Sequence, residues 1–133
     1  MFTRIVVGAE IVAALVWAAP ASASPNSVVA VAVNPQTARG EAAYGGGKPI
    51  EYAIQDAIDA CNLSQGPGCV YAGATANGCV GIAFYQGNFQ WAVGPTITGA
   101  EGAAKGKLNA SGGDPVLSAA CADGTSDGIS PGT

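Results

Sequence analysis

The hydrophobic pattern of this chain changes rhythm several times, and each change marks an element. Residues 28–33 read VVAVAV, an unbroken apolar run closed by the turn-forming NPQTARG. A short apolar run bounded by Asn, Pro and Gly is the pattern of a buried strand. EAAYGGG follows as a second strand ending in glycines. The period then lengthens. Ile50, Ala53, Ile54, Ala57, Ile58 and Cys61 recur at helical spacing, while Glu51, Gln55, Asp56 and Asp59 take the other face. Pro49 stands at the start of this helix, where its missing N–H costs nothing. SQGPG ends the helix, and CVYAGATA returns to strand spacing.

The same order then recurs. CVGIAFYQGNFQWAVG gives two strands around a turn placed at Gly87–Asn88, TGAEGAAKGKLNA a helix, and PVLSAACA a closing strand. The chain therefore reads as a duplicated β-β-α-β unit, copy one at residues 27–77 and copy two at 78–121. Two copies are too few for a solenoid, so the expected fold is α+β, a single small pseudo-symmetric domain over residues 24–121.

The second helix carries Gly102 and Gly106, each costing about 1 kcal/mol relative to Ala. Thr98 with Glu101 is placed as its capping box, and Glu101 with Lys105 as a favourable i,i+4 pair. A helix so poor in large side chains holds only by lying close on its sheet. Residues 122–133 show no periodicity and are read as a flexible tail.

The N-terminus has a different character. Arg4, the apolar residues 5–19 and the small-residue ASA at 21–23 have the order of a secretory signal, residues 1–23. The apolar stretch falls short of the about 20 residues a spanning helix needs, so cleavage is expected, and Glu10 inside it leaves an uncleaved anchor as the alternative. The mature form is then expected to be secreted or in the cell envelope, with no membrane span. A formal net charge of −4 and no basic cluster exclude a nucleic-acid partner.

The four cysteines, Cys61, Cys69, Cys79 and Cys121, include no C-x₂-C pair, and the chain has no histidine. Zinc sites and thioredoxin-type redox sites need those spacings, so the even cysteine count reads as a disulfide framework, with no metal and no cofactor. Three connectivities are open. Cys61 ends the first helix where Cys69 begins the next strand. Cys79 and Cys121 lie at the far end of the paired strands. Cys61–Cys69 and Cys79–Cys121 is the pairing this layout prefers.

Without histidine, Ser–His–Asp and Cys–His catalysis are excluded. Glu51, Asp56 and Asp59 lie on a solvated helix face, Glu41 stands alone on its strand, and YGGGKP with Lys48 lacks the Walker spacing. The expectation is a non-enzymatic monomer that binds a protein or an envelope component. A secreted enzyme using carboxylates or a Ser–Lys pair, and an inhibitor of a secreted hydrolase presenting the 85–88 loop, are the alternatives. The aromatic run FYQGNFQW offers Tyr85, Asn88 and Trp91 as the candidate binding surface.

These segments, VAVAVNPQTARGEAAYGGG, AIQDAIDACN, GCVYAGATANGCVGIAF and WAVG, resemble the domain of unknown function 4189 (DUF4189) family of small exported bacterial proteins. The resemblance spans residues 28–121. It departs from the pattern in the glycine-rich second helix, with Leu108 where the first copy has Cys61. It implies export and disulfides, and it brings no catalytic residues.

Overall fold

A computed structural model of the protein describes residues 28–47, 49–108 and 113–131. Residues 1–23, expected as a secretory signal, and Lys48 lie outside the described residues. In chain order the elements are β1 (Val28–Asn34), β2 (Arg39–Gly45), α1 (Ile50–Gln65), β3 (Val70–Ala76), β4 (Cys79–Tyr85) and β5 (Asn88–Gly94). They continue with α2 (Ile97–Lys107), β6 (Val116–Cys121), β7 (Ser126–Asp127) and β8 (Ser130–Pro131).

The strands form two four-stranded sheets, ordered β3-β1-β2-β8 and β5-β4-β6-β7. Alternation along each central strand dictates how they stack. In β1, Val29, Val31 and Val33 point to one face and Ala30 and Ala32 to the other; both faces are buried. The valines meet Val80, Ile82 and Phe84 of β4, with Ala42, Ala72, Ala120, Ala122 and Ile129 filling the layer between the sheets. The small residues of β1 take α1 on the outer face through Ala53, Ala57 and Cys61. On the outside of the other sheet, Ala83, Ala92, Cys79 and Cys121 receive Ala100 and Ala104 of α2. The layers therefore run helix, sheet, sheet, helix, a small α+β domain with two disulfides.

The large buried residues sit in the middle layer, and those buried under the helices are only alanines and cysteines, because a helix approaches a sheet closely only over small side chains. α1 begins after Pro49 and ends at Gly66, whose φ of 83° turns the chain out of the helix. Asn34 Nδ2 donates to the Gln65 carbonyl at 3.1 Å, which ties the end of α1 to the β1–β2 turn.

Three local expectations differ from the structure. The N-cap of α2 is Thr96, whose side chain accepts from Gly99 N at 3.0 Å, so Thr98 and Glu101 form no capping box. Thr96 has the extended backbone (φ −133°, ψ 162°) that a capping residue needs, whereas Thr98 already lies inside the first turn. The hairpin tip is Gln86–Gly87, with φ of 52° and 81°, one residue earlier than the sequence placed it. Two central positive φ angles make a turn whose twist matches the strands. Residues 122–131, read as a tail, instead carry β7 and β8, and Ile129 is buried. A strand of two residues is too short to show a period, so the pattern could not reveal it.

Candidate functional site

The edge strands β3 and β5 lie over one another at one side of the sandwich, and Trp91 closes that side. Gly73 makes room for it: a side chain there would stand 2.7 Å from both the Trp91 ring and Val80. Gly73 has a φ of 107° at an irregularity in the β1–β3 register, a place where only glycine sits without strain. Tyr71 meets the indole edge-on, with ring centroids 5.6 Å apart at 72°. Lys107 arrives from the end of α2, its Nζ 5.4 Å from the ring centroid and donating to the Trp91 carbonyl at 2.8 Å. An aromatic pair in this geometry contributes about 0.5–1.5 kcal/mol beyond burial. Tyr71, Val70 and Val93 remain exposed around it.

Of the three residues proposed as a surface, the structure brings only Trp91 into this patch. Asn88 is exposed beside the hairpin tip. Tyr85 lies over Gly113, where no side chain would fit, and is half-buried. Tyr71 and Lys107 were missed, because they stand far from Trp91 in sequence and no periodicity links them.

At one end of the molecule, Cys79 and Cys121 face each other as a directly paired position of the β4–β6 ladder. Cys61 joins Cys69 across the turn that follows α1, where Asn62 Oδ1 accepts from Cys69 N at 3.1 Å. Neither disulfide leaves a free thiol among the described residues. Cys79 and Cys121 also line a cleft of ≈ 240 Å³ with Asn77, Gly78, Pro95, Ala122 and Asp123. Thr125 donates to Asp123 through both N (3.0 Å) and Oγ1 (2.7 Å), which holds the Asp123 carboxyl below its ordinary range. Burial, and behind it the Asp123 charge, pushes the Tyr44 hydroxyl up.

The carboxylates considered for acid/base chemistry do not converge. Glu51, Asp56 and Asp59 are exposed on α1, and Gln55 donates to Asp59 at 2.9 Å. Glu41 is buried and accepts a hydrogen bond from Ser64 at 2.8 Å, a partner that its isolation on a strand did not suggest. Among the described residues no group of three or more His, Cys, Asp or Glu could hold a metal ion. No described helix is long and apolar enough to cross a membrane.

A small helix–sheet–sheet–helix domain, cross-linked twice and without a free thiol, has the chemistry of an oxidising, extracellular-type compartment. The chain belongs to a family described as domain of unknown function (DUF4189), whose model matches residues 26–122. No curated protein and no solved structure matches it.

Proposed function

We propose that the protein is exported by its N-terminal segment and acts as a monomeric binding domain, without catalysis, in the envelope or outside the cell. The observation that carries this reading is the Tyr71–Trp91–Lys107 patch. A half-buried indole, an exposed tyrosine and a lysine head group together offer apolar area, a hydrogen-bonding rim and one cation at a fixed place. Anchors of that composition dominate binding energetics at interfaces. The partner is a protein or an envelope component.

We also infer that the domain arose by duplication of a β-β-α-β unit. In support, β1-β2-α1-β3 and β4-β5-α2-β6 each place their first strand centrally, flanked by the second and third strands, with the helix on the outer face. Each half also contributes its own apolar row to the shared layer.

The enzyme reading is weaker. The cleft beside Cys79 and Cys121 is lined by one carboxylate, Asp123, and no described cation. A Ser–Lys pair has no support in the described hydrogen bonds.

The test uses oxidised protein immobilised and exposed to envelope extracts and culture medium. A partner retained by the wild type should be lost with Tyr71→Ala and with Lys107→Glu, both judged folded by circular dichroism. Retention by both variants would overturn the patch. Four titratable thiols in protein recovered from its native compartment would overturn the assignment to an oxidising location.

A further inference from the structure

The C-terminal segment crosses from one sheet to the other. Ser126 of β7 pairs with Ala120 at the edge of one sheet, and Ser130 and Pro131 of β8 pair with Glu41 and Ala42 at the edge of the other. Between them Gly128 bridges to Ala119 and turns with a φ of 76°. Ile129, 4% exposed, enters the inter-sheet layer. Its seat is Gly40, where a side chain would stand 3.2 Å from the Ile129 methyl group. A side chain on Gly128 would likewise press on Ser118 Oγ at 2.9 Å. Glycines on both sides of the crossing thus shape a socket for a six-residue segment held only by a two-residue strand at each end.

One contact in this strap has no ordinary account. Glu101, on α2, turns its carboxyl to that of Asp127. Glu101 Oε2 is shut off from solvent and finds no donor among the described residues. Two ionised carboxylates only accept hydrogen bonds and repel one another. A single proton between them supplies the missing donor.

We infer that residues 126–131 form a pH-gated strap, latched by a proton that the Glu101 carboxyl holds and donates to Asp127. Loss of that proton places two negative charges at the latch, frees Ile129 from its seat and uncovers the β2 and β6 edges. Burial first, and then the Asp127 carboxyl, pushes Glu101 up to about 7, which sets the transition near neutrality.

The surrounding charges leave the latch to this pair. Of the strands packed on α2, β4 brings Tyr85 at its far end and Cys79 in a disulfide, β5 brings no ionisable group, and β6 only Cys121, also bonded. On α2 itself Lys105 and Lys107 are exposed, and Lys107 is bound to the Trp91 carbonyl. Asp123, in the approach to β7, is held by Thr125.

The experiment follows amide exchange of residues 126–131 in oxidised protein at pH 5.5 and pH 8.5, each corrected for the intrinsic rate of exchange. In the wild type the strap should be at least about tenfold less protected at pH 8.5, while β1 and β4 hold their protection. Glu101→Gln keeps the shape, removes one charge and supplies an amide donor, so it should keep the strap protected at both values. Asp127→Asn, at an exposed position, should do the same. Equal protection of the wild-type strap at both pH values would overturn the latch. So would a pH-dependent loss that persists in both variants.

Discussion

Gly81 of β4 lies directly against the backbone of Ala100 on α2: a side chain on Gly81 would collide with the Ala100 carbonyl group. Gly94 of β5 makes a second close approach, with its missing side chain 3.0 Å from Ala100 N. Helix α2 has only Ala100 and Ala104 as buried residues, so its hold on the sheet comes from close approach and not from large side chains. Gly81→Ala should therefore destabilise the fold by about 1–3 kcal/mol, since backbone atoms cannot move aside as a side chain can. Gly102, on the same helix, has open space around it. Gly102→Ala should stabilise by about 0.5–1 kcal/mol. Urea unfolding of both variants checks the pair, and a Gly81 variant as stable as the wild type would refute the close seating.

Ile129→Ala should cost about 2–4 kcal/mol in the same measurement, at a pH where the strap is closed. The deletion would leave a cavity in the layer shared by Val29, Val31 and Ile82. A free tail would show no change.

The disulfides should differ in worth. Cys79–Cys121 closes a sequence separation of 42 and Cys61–Cys69 one of 8. Chain entropy alone assigns them about 4 and about 2.5 kcal/mol. Paired Cys→Ala replacements, each made at both ends of one bridge, should lower the denaturation midpoint more for Cys79 and Cys121.

Thermal stability should peak under mildly acidic conditions. Glu101 is raised from 4.5 to about 7, so the stability it contributes is full below 4.5 and is lost as the pH rises through 7. Asp123 is lowered from 3.8, so its contribution is present above 3.8 and is lost as the pH falls below it. Melting temperatures between pH 3 and pH 9 should follow this dome, and Glu101→Gln should flatten its alkaline side alone.

Much of the architecture was legible because its signals are local. The spacing of Ala53, Ala57 and Cys61 marks a helix face, and all three are buried under Ala30, Ala32 and Ala43. The structure bonds Cys61 to Cys69 and Cys79 to Cys121, the pairs that strand order had favoured. Tyr71 and Lys107 were not legible as neighbours of Trp91. They come from β3 and α2, and only the stacking of two sheets brings those elements to one edge.

The sequence by itself determined the elements from β1 to β6 and their order, because periodicity, glycines and prolines act within a few residues of where they stand. It also set the chemistry available: two cysteine pairs, no histidine and an acidic balance. The tertiary structure decided what the isolated residues do. Ile129 looked like one apolar residue in a polar tail, and it is a core residue because Gly40 leaves it a seat. Glu101 looked like a helix-stabilising charge, and packing turns it instead to Asp127. Contacts of that kind join residues far apart in the chain, and their energies arise only once water has been excluded between the layers.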